Sequence, residues 1–350
     1  MKTIFVVDDN EVNLIKVKTA LKEYHRIITI ASAERLFLLI GKIIPDLILL
    51  DINMPEVDGF AALKKLKENE YTAQIPVIFL TSYTDEHIEV KGFKMGAVDF
   101  LTKPFSTLVL MNRIETHLNI DGLIKKRTAK IEALKNGIIT VMADMVENRD
   151  QETGGHVERT TAYIKVLINT MIAWGGGVYA SELSEFDLPL FISSARLHDV
   201  GKIAISDSIL NKPEKLTLEE FEIMKTHAKA GERIIDKVAI RTGDDEAFLY
   251  NAKLFAGYHH ERWDGKGYPY GLDGLNIPLQ GRIMAFADVY DALISARSYK
   301  KAFTHKETVN IIMETAGKQF DPFIAGAFYE ARDEFNAVKS EHVKPGGGSE

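Results

Sequence analysis

Five of the chain's ten histidines fall between residues 156 and 260: His156, His198, His227, His259 and His260. Carboxylates accompany them, in the pair His198-Asp199 and in Glu152, four residues before His156. The chain contains no cysteine, which excludes thiolate nucleophiles, zinc–cysteine sites and disulfides. A His, Asp and Glu set without sulfur suits hard-to-borderline metals such as Fe, Mn, Ni or Zn. His25, His87, His117, His305 and His342 show no carboxylate partner pattern. A second group lies nearer the N-terminus, where Asp8 and Asp9, Asp51, Thr81 and Lys103 each follow a short apolar run. Three carboxylates brought together repel unless a cation joins them, and Mg²⁺ suits such an oxygen site. The ion would let an anionic phosphodonor reach Asp51 as the nucleophile. Lys103 and the Thr81 hydroxyl would then hold the phosphoryl oxygens.

These residues need a scaffold that brings them to one place. The apolar runs Ile4–Val7, Ile27–Ala31, Leu47–Leu50, Val77–Leu80 and Val98–Leu101 have strand length and are apolar throughout, as buried parallel strands are. Helical patterns alternate with them at Glu11–Tyr24, Ala33–Lys42, Gly59–Asn69, Asp85–Met95 and Ser106–Leu118. The alternation predicts an α/β fold with a doubly wound parallel sheet over residues 1–120. With a strand order of 2-1-3-4-5, the switch point lies between the first and third strands, where Asp8, Asp9 and Asp51 converge.

From 107 to 149 no strand candidate and no proline appears, and Ile120, Ile124, Ile131, Leu134, Ile138, Val141 and Met145 keep a 3-4 spacing broken by Arg127. That spacing predicts either a heptad seam joining two copies of the chain or one face of a long helix packed on its own domain. From about 140 to 335 the pattern is almost all helical, interrupted at Gly175-Gly176-Gly177, Asn211-Lys212-Pro213 and Asp264–Gly274. The expected division is a first domain at 1–120, a helical linker at 121–139, a helical domain at 140–340 and a frayed tail at 341–350.

Composition narrows the function classes. At 350 residues, 46% hydrophobic and 27% charged, the chain is long enough for two domains with sizeable cores. No apolar run reaches the roughly 18–20 residues of a membrane span, and acids follow the first run at once, unlike a signal peptide. A cytoplasmic protein without membrane contact is expected. The net charge of −7 argues against direct nucleic-acid binding, while a small anionic substrate is compatible with sites where metal ions supply positive charge.

Residues 1–120 closely resemble the receiver domain of bacterial response regulators, a flavodoxin-like fold, through Val7-Asp8-Asp9-Asn10, Leu50-Asp51-Ile52-Asn53-Met54-Pro55, Asp58-Gly59, Leu80-Thr81-Ser82 and Thr102-Lys103-Pro104-Phe105. The resemblance implies Asp51 as phosphoacceptor, Mg²⁺ bound by Asp8, Asp9, Asp51 and the backbone carbonyl of Asn53, and Thr81, Phe100 and Lys103 as switch residues. It also implies a sensor histidine kinase as partner.

The second half closely resembles the HD-GYP family of HD-domain phosphohydrolases. The resemblance rests on His198-Asp199-Val200-Gly201-Lys202, His227-Ala228-Lys229-Ala230-Gly231, the run His259-His260-Glu261-Arg262-Trp263-Asp264-Gly265-Lys266-Gly267-Tyr268-Pro269, and Ala287-Asp288-Val289-Tyr290-Asp291-Ala292. It implies an all-α metallohydrolase domain with the ligands Glu152, His156, His198, Asp199, His227, His259, His260 and Asp288. Asp199 bridges two metals in this pattern, and Glu152 with His156 matches the positions of a third. The implied cofactors are two or three divalent ions, Fe or Mn before Ni or Zn. Asp199 and Lys202 take the catalytic positions. Lys202 contacts phosphate, and Arg297 and Lys300 grip the substrate's phosphodiester backbone.

Two local checks apply. Gly154-Gly155 would cost a helix through Glu152 and His156 about 2 kcal/mol, so the helix starts there or ligation offsets the loss. Arg297 stands nine positions after Asp288, on the opposite face of a straight helix, so that helix must end or bend near Ser295. Glu261 and Asp264 are expected to fix their loop rather than bind metal. The implied activity is hydrolysis of cyclic di-GMP to pGpG and on to GMP, with metal ions activating water for in-line attack. Alternatives are preference for cyclic GMP-AMP or for pGpG, and a non-catalytic cyclic-dinucleotide receptor.

Overall fold

The computed structural model describes residues 1–82, 86–150, 155–174, 178–242, 247–295 and 302–342. Glu152, Arg297 and Lys300 lie outside these residues, as do Gly175-Gly176-Gly177 and 343–350. The chain divides into two units between Ala133 and Leu134.

In the first unit the five apolar runs form β1 (Thr3–Val7), β2 (Arg26–Ile30), β3 (Leu47–Asp51), β4 (Val77–Thr81) and β5 (Asp99–Thr102), parallel and in the order β2-β1-β3-β4-β5. Helices lie between them: α1 (Glu11–Leu21), α2 (Ala33–Ile40), α3 (Gly59–Lys67), α4 (Glu70–Ala73), α5 (Glu86–Lys94) and, after β5, α6 (Thr107–Arg149). The strands are apolar throughout because both faces are covered. Phe5, Val7, Ile48, Leu50 and Phe79 pack with Leu36, Leu63 and Leu66 of α2 and α3. Ile4, Val6, Leu47, Leu49 and Ile78 pack with Leu14, Val17 and Leu21 of α1 and Leu110, Ile114 and Leu118 of α6.

Three details differ from the sequence expectation. Asp51 and Thr81 close their strands instead of following them, since each still pairs with the neighbouring strand, Asp51 with Leu80 and Thr81 with Thr102. The helix expected over Gly59–Asn69 stops at Lys67, because Asn69 caps the next helix by accepting from the Tyr71 N–H at 3.0 Å. Two of the five histidines set aside do meet carboxylates, His25 with Glu115 at 3.1 Å and His117 with Asp99 at 2.9 Å.

Helix α6 is continuous, with residues in both units. Ile139, Ala143 and Val146 are buried, and Ile139 packs with Leu197, Val200, Ile235 and Phe248. The 3-4 stripe occupies other positions and is not covered. Ile120, Ile124, Ile131, Leu134, Ile138, Val141 and Met145 are 48–68% exposed, so the alternative of a face packed on its own domain does not hold for these seven.

The second unit continues with α7 (His156–Ala173), α8 (Val178–Ser184), α9 (Leu188–Ser194), α10 (Asp207–Leu210), α11 (Leu218–Thr242), α12 (Ala247–Tyr258), α13 (Leu279–Ile294), α14 (His305–Thr315), α15 (Pro322–Glu330) and α16 (Arg332–His342). Its main core joins Tyr163, Leu167 and Ile168 of α7, Ile283, Phe286 and Tyr290 of α13, and Phe328 of α15 with Phe335 of α16. Such a side chain contributes about 1.5–3 kcal/mol on burial. Helix α13 ends at Ile294, with Ser295 extended at ψ 136, which removes the straight-helix objection to Arg297 without bringing it into view. Among the described residues no helix is long and apolar enough to cross a membrane.

Candidate functional site

In the first unit the ligand atoms of Asp8, Asp9 and Asp51 lie within 4.8 Å of one another at the ends of β1 and β3. Asp8 is fully buried and accepts from the Asn10 N–H at 2.9 Å and from the Asn13 amide at 3.0 and 3.1 Å. Lys103 Nζ lies 2.7 Å from Asp8 Oδ2 and 3.1 Å from Asp51 Oδ1. Burial pushes the Asp51 carboxyl up despite the attraction of Lys103, and the Asn53 N–H donates to it. Thr81 is fully buried at the end of β4. Phe100 points inward, with its ring 5.2 Å from that of Phe79 and 5.0 Å from that of Phe93.

In the second unit the histidines come from separate elements. His156 opens α7, preceded by Gly155 at φ 89, a conformation glycine adopts without steric cost. Gly155 therefore marks a helix start. No side chain at the cap position serves α7; instead Glu147 of α6 accepts from the His156 N–H at 2.9 Å, where a carboxylate also complements the helix dipole. His198 and Asp199 lie in a tight turn between two short 3₁₀ segments, Ala195–Leu197 and Val200–Ala204. Gly201 lets α11 approach: a Cβ there would sit 1.9 Å from the His227 carbonyl oxygen and 2.5 Å from the Gly231 nitrogen. Helix α12 ends at Tyr258 and releases His259 and His260 into the following loop.

The ligand atoms of His156, His198 and Asp199 lie within 4.8 Å of one another, as do those of His227, His259 and His260. His156 Nε2 is 3.4 Å from His198 Nε2 and 3.6 Å from Asp288 Oδ1. His227 Nε2 is 3.3 Å from His259 Nε2 and 3.1 Å from His260 Nε2. Asp199 faces both groups, with Oδ2 3.3 Å from His198 and Oδ1 3.5 and 3.6 Å from His227 and His259.

Protons cannot account for this convergence. The Nδ1 atoms of His198, His227 and His259 meet backbone carbonyls of Ala195, Met224 and Phe255 at 3.1, 2.7 and 3.0 Å, and His156 Nδ1 meets Asp291 at 2.8 Å. Each carbonyl needs a donor, which places the proton on Nδ1 and the lone pair on Nε2. Burial pushes His227 down to about 4 and His260 well below the usual histidine range. Burial pushes the Asp199 carboxyl up, but Lys202 and His198 more than reverse this and hold it well below its ordinary value. Asp199 Oδ1 is buried without a hydrogen-bond donor. Facing lone pairs and an orphaned carboxylate oxygen fit divalent cations, with the Nδ1 contacts orienting the rings.

The positions at Glu152, Arg297 and Lys300 are outside the described residues. Lys202 Nζ is 2.8 Å from Asp199 Oδ2 and also pairs with Asp150. Three supporting residues escaped the sequence reading. Asp291 holds His156 and also takes Arg159 at 2.7 and 2.9 Å; its spacing of three from Asp288 on a helix was the available hint. Glu147 and Asp150 carried none. Glu261 accepts from the N–H groups of Tyr270, Gly271 and Leu272 at 2.7, 3.2 and 3.0 Å, and Asp264 accepts from Arg262 at 3.0 and 2.9 Å, so both carboxylates serve their loop.

Residues 140–324 match the HD domain family, and residues 4–115 match the response regulator receiver domain. The chain is 38% identical to the "Probable cyclic di-GMP phosphodiesterase" of Vibrio cholerae serotype O1, over 93% of this chain and 77% of that protein. It is 34% identical to the "Cyclic di-GMP phosphodiesterase response regulator RpfG" of Xanthomonas campestris pv. campestris, over 84% of this chain and 77% of that protein. A third relative, the "3'3'-cGAMP-specific phosphodiesterase 2" of Vibrio cholerae serotype O1, is 37% identical over 64% of this chain and 39% of its own. With a receiver and an HD domain in one chain, and the first two of these relatives matched over 77% of their length, the chain belongs to the response regulators that join a receiver domain to an HD domain.

Proposed function

We propose that this response regulator hydrolyses cyclic di-GMP to pGpG and on to GMP, under control of phosphorylation at Asp51. The observation that carries the reading is the convergence of two histidine groups on Asp199, with the Nδ1 atoms of His156, His198, His227 and His259 engaged elsewhere. The names of the relatives supply the substrate class. His156, His198, Asp288 and Asp199 would hold one divalent ion, and His227, His259, His260 and Asp199 another; such ions would bring the pKa of a water to about 7 and offset charge on the phosphate oxygens.

The chain's own groups do the rest. Lys202 keeps Asp199 ionised and places a positive charge where the scissile phosphate enters. Water oxygen bonds to phosphorus as the bond to the 3′ oxygen breaks, leaving a 5′-phosphate and a 3′-hydroxyl. Arg297 and Lys300 grip the phosphodiester backbone. Glu152, four residues before His156, would extend the ligand set toward a third ion, and the sulfur-free donors suit Fe or Mn, with Ni or Zn as alternatives.

In the receiver, Asp8, Asp9, Asp51 and the Asn53 carbonyl would hold Mg²⁺, and its charge would let the phosphodonor approach Asp51. A sensor histidine kinase supplies the phosphoryl group. Lys103 and Thr81 then bind its oxygens, and Phe100 moves with Thr81. We assign the receiver to 1–120, a connecting helix to 121–139 and the phosphodiesterase to 140–340. The exposed stripe of α6 pairs two copies. Ile124, Ile131 and Ile138 at one seam position, with Leu134 and Val141 at the other, suit a parallel two-stranded coil.

Metal-reconstituted protein incubated with cyclic di-GMP, cyclic GMP-AMP and pGpG, followed by chromatography, tests the reading. Formation of pGpG from cyclic di-GMP supports it. Turnover confined to cyclic GMP-AMP would favour the second reading, which the 37% identity to a 3'3'-cGAMP-specific phosphodiesterase motivates.

A further inference from the structure

A cyclic dinucleotide has two phosphates and two bases, and the groups converging on Asp199 engage only the phosphate that is cleaved. The other half of the molecule needs its own place. In a chain of net charge −7, that place must gather cations locally to accept a second phosphate.

Beside His259 and His260 the second unit contains a cavity of about 350 Å³. Small-molecule sites run from about 300 to 1,000 Å³, so this one is of a size to take about one nucleotide. Its walls carry two lysines, Lys225 on α11 and Lys266 in the loop after α12. They also carry two aromatic rings, Phe221 and Tyr268, and the amide of Gln319.

The arrangement suits a nucleotide group by group. Lys225 Nζ lies 5.6 Å from the centre of the Phe221 ring and 5.7 Å from that of Tyr268, and the two ring centres are 6.4 Å apart, so the cation stands beside the pair of rings. Its ion-pair partner is Glu222 at 2.6 Å; the lysine side chain is 25% exposed and the carboxylate 69%, and a carboxylate so open to water gives way readily to a phosphate. Lys266 is exposed. The third cation of the wall, Arg262, is already engaged by Asp264 at 2.9 Å. Phe221 is 46% exposed although Lys225 and the Tyr268 ring both approach it, which leaves apolar ring surface for a base to stack on. The Tyr268 ring is stacked on His260, with centroids 4.6 Å apart and planes at 27°, which ties the cavity directly to the histidine group. Gln319 offers both a donor and an acceptor to a base edge.

We propose that this cavity is the subsite for the uncleaved half of the substrate, with Lys225 and Lys266 holding the second phosphate and Phe221 stacking its base. The proposal rests on the cyclic-dinucleotide reading above and adds the residues that separate such a substrate from a simple diester. Lys225 and Phe221 are the residues to change, because neither belongs to the groups that face Asp199.

The experiment compares metal-loaded full-length protein with Lys225→Met, Lys225→Arg and Phe221→Ala, using cyclic di-GMP and bis(p-nitrophenyl) phosphate. The expected result is a fall of about ten- to hundredfold in the ratio of kcat/KM for cyclic di-GMP to that for the simple diester. It should arise mainly in KM, with metal content at the parent level and partial recovery in Lys225→Arg. An unchanged ratio in both Lys225→Met and Phe221→Ala, in a parent that cleaves cyclic di-GMP, would overturn the subsite and leave the proposed function standing. A parent that cleaves the simple diester but no cyclic dinucleotide would overturn the function and the subsite together.

Discussion

Asp291 accepts from His156 Nδ1 and from Arg159, and in doing so it turns His156 Nε2 toward His198. Asp291→Asn keeps the shape but weakens this hold, and it should lower metal affinity roughly ten- to hundredfold. Competition with a coloured chelator measures this; parental affinity would mean that Asp291 serves only Arg159. A second consequence follows from burial, which brings His227 down to about 4 from an ordinary 6.5. Below about pH 6.5 the unfolded chain takes up a proton that the folded chain refuses until about pH 4. Stability of the metal-free protein is therefore full above pH 6.5 and declines as pH falls toward 4. Thermal melts at pH 7, 5.5 and 4.5 should trace the decline, and a constant Tm would contradict a neutral buried His227. The histidines were legible in the sequence because their type is sparse and two motifs carry adjacent members, His198-Asp199 and His259-His260. Asp150, Glu147 and Asp291 were not. Carboxylates are among 50 acids in the chain, and only packing distinguishes the few that turn inward.

At the scale of elements, the close approach of α11 to the turn carrying Asp199 depends on Gly201. Gly201→Ala forces the His227 backbone outward, and overpacking of this kind costs about 1–3 kcal/mol. The variant should melt at a lower temperature and retain less metal than the parent; an unchanged melt with full metal content would show that the helix can give way freely. The five strands were legible because a strand covered on both faces reads as an uninterrupted apolar run. The break between α3 and α4 was not, since it depends on Asn69 capping the second helix rather than ending the first. The partnerships His25–Glu115 and His117–Asp99 join residues 90 and 18 positions apart, beyond any local pattern.

For the molecule as a whole, α6 is the one element with residues in both units. Its C-terminal turn is bound to the turn that carries Asp199: Arg149 donates to the carbonyls of Lys202 and Ile205 at 3.0 and 2.6 Å, and Asp150 pairs with Lys202. Arg127 interrupts the exposed stripe, which would leave two pairing arrangements close in energy, the kind of two-state element that coupling requires. Ile131→Glu with Ile138→Glu should convert a dimer to a monomer by light scattering. A beryllofluoride adduct at Asp51 should change turnover or dimer affinity, Asp51→Asn should abolish that response, and a two-residue insertion near Lys130, turning the following residues by about 200°, should disturb it. A silent adduct and a silent insertion would together leave α6 a passive spacer. The central claim, that the histidines and Asp199 form a metal site for phosphodiester hydrolysis, is tested most directly by product chromatography of cyclic di-GMP incubated with metal-reconstituted parent and Asp199→Ala protein, with bound metal measured on the same samples. The account predicts pGpG and at least two metal ions per chain for the parent, and neither the product nor the full metal complement for the variant. Equal pGpG formation by metal-free Asp199→Ala protein would contradict it.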